Sequence, residues 1–168
     1  MSQQDSTGPT IVEGSLVAHA GARFAIVASR FNDLIVDKLI GAAMDALARH
    51  GVDPARISLV RVPGAWEIPI ACAKLVSLGQ VDGIVALGCV IRGATLHFEQ
   101  VANEVGKAIA SVSLSSGVPI AFGVLSTESI EQALERAGTK MGNKGWDAAV
   151  TALEMVSLLR TLESSRTT

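Results

Sequence analysis

The stretch Gly88-Cys89-Val90-Ile91-Arg92-Gly93-Ala94-Thr95-Leu96-His97 brings glycines, a hydroxyl and an imidazole together within one short reach of chain. It follows the most apolar run in the sequence, residues 83–87, which reads as a buried strand, and a helical pattern takes over at about His97. A strand that passes through a glycine turn into a helix start frees backbone N–H groups and the positive end of a helix dipole to hold an anion. The bland alternative is a tight turn whose glycines serve only a positive φ. Gly88 and Gly93 have P-loop spacing and Thr95 stands where a P-loop has its hydroxyl, but Ala94 replaces the lysine. Without that charge on the β- and γ-phosphates an NTPase is excluded and anion binding is kept. His97 at a helix N-terminus would have its cationic form disfavoured by the dipole, leaving a neutral imidazole able to take a proton. On local sequence alone, a polar residue on an exposed first turn is the simpler account.

Other candidate residues carry paired readings of the same kind. Cys89 could be a nucleophile, but it ends an apolar strand without a neighbouring base, and a small core residue accounts for it more simply. Phe31 and Trp66 belong to a small aromatic set of four Phe and two Trp. Placed beyond strand ends, they would suit stacking on a flat heterocycle, or would form apolar lids over helix ends. Glu67 beside Trp66 could accept hydrogen bonds from a hydroxylated or N–H ligand, or be a solvated charge at a helix start. Arg136, Lys140 and Lys144 form the densest basic cluster, suited to a phosphate or simply to a helix C-terminus. His19, His50 and His97 share no metal-ligand spacing with one another or with the cysteines, so no metal is expected.

The elements that must position these residues follow from periodicity. Strands are expected at 24–29, 57–62, 83–90 and 120–125. A first helix opens at Asn32 or Asp33, carries Val36, Leu39, Ile40, Ala43, Met44 and Leu47 on one face, and stops at Gly51. A second runs from about Trp66 to Leu78 with Pro69 in its first turn. A third is marked by Phe98, Val101, Ala102, Val105, Ile109 and Val112. A fourth opens at Ser126-Thr127-Glu128 with a capping hydroxyl and ends near Arg136, and a last helix spans about 146–162, after a glycine-rich loop at 137–145. Residues 10–17 have strand character without an evident partner. The order β-α-β-α-β-α-β-α-α predicts an α/β doubly wound, three-layer fold on a four-stranded parallel sheet. Ligands of such sheets bind beyond the carboxyl ends of the strands, which collects residues 30–32, 64–67, 89–97 and 122–127.

A chain of 168 residues is the length of one domain, enough to bury roughly 70% of its unfolded surface. The expected division is an arm at 1–10, a single domain at 11–162 and a tail at 163–168. With 49% hydrophobic and only 18% charged residues the surface is lean, which points to cover by other subunits. A net charge of −2 gives no electrostatic footprint for nucleic acid. Cys72 and Cys89 form no disulfide framework and fit a reducing compartment. No secretory signal is expected at the start, and the longest apolar run, 84–91, falls far short of the ~20 residues of a membrane span. A cytoplasmic protein is the plain expectation.

In combination, four segments resemble the 6,7-dimethyl-8-ribityllumazine synthase family. They are Arg30-Phe31-Asn32, Val62-Pro63-Gly64-Ala65-Trp66-Glu67-Ile68-Pro69, Gly88 through His97, and Glu135-Arg136-Ala137-Gly138-Thr139-Lys140-Met141-Gly142-Asn143-Lys144-Gly145. The likeness spans residues 11–162 and implies a flavodoxin-like fold whose N-terminal segment joins a neighbouring subunit's sheet. It implies condensation of 5-amino-6-(D-ribitylamino)uracil with 3,4-dihydroxy-2-butanone 4-phosphate, the penultimate step of riboflavin synthesis, without a cofactor. It places Phe31 on the pyrimidine ring, Ala65, Trp66 and Glu67 around the ribityl chain, and Cys89, Val90 and Ile91 along the ring's polar edge. Ala94 and Thr95 would hold the phosphate, with Arg136 and Phe122 supplied by the adjacent subunit and His97 carrying protons. Trp66 stands where that family usually has phenylalanine, and Cys89 where threonine or alanine is common. The family assembles as pentamers, and some members close twelve of them into an icosahedral shell; the short 138–145 stretch resembles the shell formers. The competing function on the same fold is a flavin- or nucleotide-binding module, or a shell protein, without turnover.

Overall fold

The computed structural model describes residues 8–93 and 97–165, without the side chains of residues 97 and 99. Of the expected arm, residues 1–7 lie outside the described residues, as do residues 166–168 of the expected tail. Four parallel strands, β1 (Phe24–Ser29), β2 (Ile57–Val62), β3 (Gly83–Ile91) and β4 (Ile120–Thr127), stand in the order β2-β1-β3-β4. Between and after them come α1 (Asp33–Arg49), α2 (Ile68–Ser77), α3 (His97–Ser116), α4 (Ile130–Glu135) and α5 (Lys144–Ser164).

Central strands covered on both faces must be apolar at every position, and β1 is buried throughout. Alternate side chains divide between two cores. Phe24, Ile26 and Ala28 pack with β3's Val85 and Leu87 against α1 and α5. Ala25 and Val27 pack with Ile84 and Ala86 against α2 and α3. This is the α/β, doubly wound, three-layer arrangement that the periodicity predicts, in flavodoxin-like strand order. α1 buries Val36, Leu39, Ile40, Ala43 and Leu47, with Gly51 in the left-handed region (φ 92°) directly beyond its end.

The strands are not in step at the top of the sheet. β3 pairs with β1 only as far as Leu87 opposite Ala28, but with β4 as far as Ile91 opposite Thr127. Residues 88–91 therefore have a strand partner on the β4 side alone.

Three local expectations are corrected. β4 continues through Ser126 and Thr127, opposite Val90 and Ile91, so those hydroxyls do not open a helix. Ladder pairing with the long apolar β3 outcompetes local capping, and the cap of α4 is Ser129, which accepts from the Gln132 N–H at 3.2 Å. The glycine-rich 137–145 stretch holds a small antiparallel pair, β5 (Ala137–Thr139) and β6 (Gly142–Asn143), rather than an open loop. α5 starts at Lys144, where the Asn143 side chain accepts from the Gly145 N–H at 2.8 Å, and it continues through Ser164 into the expected tail. Residues 10–17 pair with no strand among the described residues. Within the chain they lie along α5, with the Ser15 N–H donating to Ser157 Oγ at 2.9 Å. Ile11 and Val17 are left exposed there.

α5 packs close because its inward face is small: Gly145, Ala148, Ala149 and Ala152 are all buried. A Cβ at Gly145 would run into the Leu39 backbone of α1. Gly145→Ala should therefore cost about 1–3 kcal/mol through forced separation of α1 and α5, read as a drop of several degrees in Tm. Gly41→Ala, on α1 with open space around it, should raise Tm slightly. Equal melting temperatures for the two variants would contradict this packing.

Candidate active site

The strand ends bring the chemistry-bearing residues to one place. A cleft of about 880 Å³ opens beyond the carboxyl ends of β1, β2 and β3, lined by Phe31, Ala65, Trp66, Glu67, Cys89, Val90 and Ile91 among others. Each segment is held by backbone bonds. On leaving β1, the Arg30 N–H donates to Val62 C=O at 2.8 Å and the Phe31 N–H to Pro63 C=O at 3.2 Å, carrying the β1–β2 pairing past both strands. Asn32 then turns through the left-handed region (φ 58°, ψ 43°). It stands at the N-cap of α1 but does not cap it; its Nδ2 donates to the Cys89 carbonyl at 2.9 Å.

Beyond β2, Ala65–Glu67 forms a single 3-10 turn before α2, which begins at Ile68 with Pro69 in its first turn. Glu67 closes this turn on itself, its Oε2 accepting from the Gly64 N–H at 2.9 Å. Phe31 is 71% and Trp66 57% exposed, so neither is a lid packed over a helix end. Both rings are available to a flat ligand.

Beyond β3, the Arg92 N–H donates to Thr127 C=O at 2.8 Å. Its guanidinium meets Glu128 at 2.6 Å and lies 5.3 Å from the centre of the Phe98 ring. The chain that leaves β3 is thereby tied to the end of β4 and to the first turn of α3. Ala94 and Thr95 lie outside the described residues, as does the side chain of His97, whose backbone is the first residue of α3.

Cys89 is buried within the α1/α5 core, and burial pushes its thiol up to about 11; Cys72 is pushed up to about 12 in the same way. A buried thiol held protonated favours the core reading of Cys89 over the nucleophile. Arg136 and Phe122 are not among the described lining residues. Arg136 is the C-cap of α4, its guanidinium donating to Gln132 C=O at 3.1 Å, and Lys144 pairs with Asp147 at 2.8 Å. Phe122 is not at the carboxyl end of β4 but third in the strand; it pairs with Ala86 in register and is half exposed near Gly106 of α3.

The sequence pattern collects Asn32 among the strand-end residues but gives its side chain no role beyond a helix cap, and it does not mark the wall supplied by α3. Phe98, Gln100, Val101 and Glu104 all line the cleft. Their 3–4 residue spacing is visible in the sequence, but periodicity marks only an inward face and does not tell core from cleft. Among the described residues no cluster of His, Cys, Asp or Glu could hold a metal ion, and no helix is long and apolar enough to cross a membrane.

Comparison with known proteins decides the family. The model of the 6,7-dimethyl-8-ribityllumazine synthase family matches residues 21–160. The chain belongs to that family. It is 57% identical over 152 residues to the 6,7-dimethyl-8-ribityllumazine synthase of Syntrophus aciditrophicus (strain SB), covering 90% of this chain and 98% of that protein. It is 54% identical over 154 residues to the protein of the same name from Halorhodospira halophila (strain DSM 244 / SL1), covering 92% and 99%. The matched span takes in every strand of the main sheet and every described wall of the cleft.

Burial of the two thiols has a direct consequence. Their folded values lie above the ordinary 9.0, so the unfolded chain releases these protons first as pH rises. Stability should be undiminished below about pH 9 and fall progressively from pH 9 to about 12. Native protein at pH 7.5 should also resist iodoacetamide, both thiols reacting only after unfolding. Rapid alkylation of Cys89 in the folded protein would contradict its burial.

Proposed function

We propose that this cleft holds the pyrimidine substrate of lumazine formation, with Phe31 against the ring, Ala65, Trp66 and Glu67 along the ribityl chain, and Cys89, Val90 and Ile91 along the ring's polar edge. The chain is a transferase of riboflavin biosynthesis. It condenses 5-amino-6-(D-ribitylamino)uracil with 3,4-dihydroxy-2-butanone 4-phosphate to 6,7-dimethyl-8-ribityllumazine, releasing phosphate and water. The observation that carries the site assignment is the character of the described lining. It has two exposed aromatic rings and two partnered carboxylates, Glu67 on the Gly64 N–H and Glu104 on Lys107, with no Lys or Arg among the described lining residues. Such a cleft suits an uncharged, flat, hydroxyl-rich molecule and offers a phosphate no lining cation.

The phosphate of the second substrate then needs another holder. Ala94 and Thr95, at the entry to α3, supply backbone N–H groups and a hydroxyl at a helix N-terminus, and Arg136 of an adjacent subunit supplies the charge. Phe122 of that neighbour closes the ring from its other side. His97 carries protons as the amine adds to the ketone, water leaves, phosphate is eliminated and the second ring closes. Each of these steps moves a proton between nitrogen, carbon and oxygen, so a neutral imidazole beside the reacting atoms suffices. Holding the two reactants together supplies the larger share, on the order of 7–11 kcal/mol in favourable cases.

A site divided between subunits requires an oligomer. Exposed apolar side chains on separate elements, Ile70 on α2 at 74% and Leu114 on α3 at 86%, support that requirement. The assembly is a pentamer of the 17.4 kDa chain, with closure of twelve pentamers into a shell as its larger form, in the cytoplasm.

Turnover is followed by absorbance of the lumazine product. His97→Ala should lower kcat by about 10²-fold with little change in either KM. Arg136→Ala should raise KM for the phosphorylated ketone about tenfold or more and leave that for the pyrimidine within about twofold. Equal shifts in both KM values would refute the phosphate role. Light scattering should give a mass in multiples of five chains, and an active monomer would overturn the divided site.

A further inference from the structure

We propose that Asn32 is a positioning residue for the pyrimidine, a role that rests on the cleft assignment above and adds to it a residue that fixes the aromatic platform to the ring-edge strand. Among the described residues, Asn32 is the only non-glycine with a positive φ. It occupies the N-cap of α1 and its side chain caps nothing there. Both features are costly in isolation, and strained backbone of this kind persists where the surroundings hold it for a purpose.

The purpose is legible in what the side chain reaches. β1 stops pairing with β3 at Leu87, so the Cys89 carbonyl lies beyond the last β1 partner. Asn32 Nδ2 donates to that carbonyl at 2.9 Å, a side-chain amide standing in for the next strand residue. On the opposite side, the Phe31 N–H is fixed to Pro63 C=O at 3.2 Å. The Phe31 peptide is thus pinned to the β2 exit by its own backbone and to the β3 exit through Asn32. An exposed ring and the edge at Cys89, Val90 and Ile91 are thereby held at one spacing.

Two demands meet at this position. The left-handed backbone favours glycine, asparagine or aspartate, and the Cys89 carbonyl needs a donor. Glycine has no side chain to give one, and aspartate would set a carboxylate oxygen against a carbonyl oxygen. Asparagine meets both demands.

The test compares Asn32→Gly, Asn32→Asp and Phe31→Ala with the wild-type assembly, measuring Tm, kcat and KM for each substrate. Asn32→Gly should melt within about 3 °C of wild type while its pyrimidine KM rises about tenfold and its KM for the ketone phosphate stays within about twofold. Asn32→Asp should show the same split at least as strongly, and it serves alone if the glycine variant does not fold. A purely structural role would lower Tm and leave both KM values where they were, and that result overturns the proposal. Phe31→Ala separates the two levels. If it raises the pyrimidine KM while the Asn32 variants do not, the positioning role fails and the cleft assignment stands. If neither position affects it, both fail together.

Discussion

β1 and β3 are neighbours in the sheet, yet the chain leaves them toward opposite faces. α1, which follows β1, packs with α5 on one side, and α3, which follows β3, packs with α2 on the other. Two adjacent strand ends whose continuations diverge cannot fill the space between them, so a crevice must open there. The cleft is a consequence of the strand order β2-β1-β3-β4 before any side chain is chosen. The cores exist to hold that order: two apolar central strands, each buried on both faces, fix the point from which the loops depart.

A crevice of this kind is useful only if its rim is stiff. Here each departing loop is fastened to the loop beside it. Arg30 and Phe31 bond to the end of β2, Asn32 bonds to β3, and Arg92 bonds to β4 and lies over the first turn of α3. Glu67 fastens its own turn through Gly64. Most of these links use backbone groups that would otherwise be unpaired beyond the last ladder bond, so rim rigidity and hydrogen-bond satisfaction are the same requirement. The exposed rings of Phe31 and Trp66 are then displayed from anchored backbone rather than from free loops, which limits the ordering cost when a ligand stacks on them.

How far the sequence discloses this depends on whether a signal is local. The central strands and α1 are legible because burial on both faces, or along one stripe, leaves its period in the residues themselves. Three of the four collected loops reach the cleft for the same reason. The fourth does not, since Ser126 and Thr127 look like helix caps, and only their register with Val90 and Ile91 shows them to be strand. The β5/β6 pair is invisible because backbone bonding across a glycine turn needs no side-chain pattern. Asn32 reads as a cap, and its actual bond goes to a residue 57 positions away. The α3 wall is half legible: Phe98 and Val101 carry the helical period, but their place beside the cleft depends on where the helix passes the strand ends. Arg136 is the limiting case. A basic residue at the end of a helix can be found by inspection, whereas the site proposed for it would depend on the packing of a second chain.

The charge of the cleft bears on the chemistry itself. A site that condenses a nitrogen heterocycle with a phosphorylated ketone must accept one neutral and one strongly anionic partner within bonding distance. If cations lined the whole cleft, the phosphate could bind anywhere along it and the ketone would be held in many registers. In the proposed site the described wall offers the phosphate no cation of its own, which would leave the phosphate one end of the cleft at which to settle. In the proposed site, the reactive carbon would then lie at a set distance from the phosphate, and the amine at a set distance from the Phe31 ring. Binding specificity and reactive geometry would then be met by the same separation of the two binding ends, and proximity would supply the larger share of the catalysis.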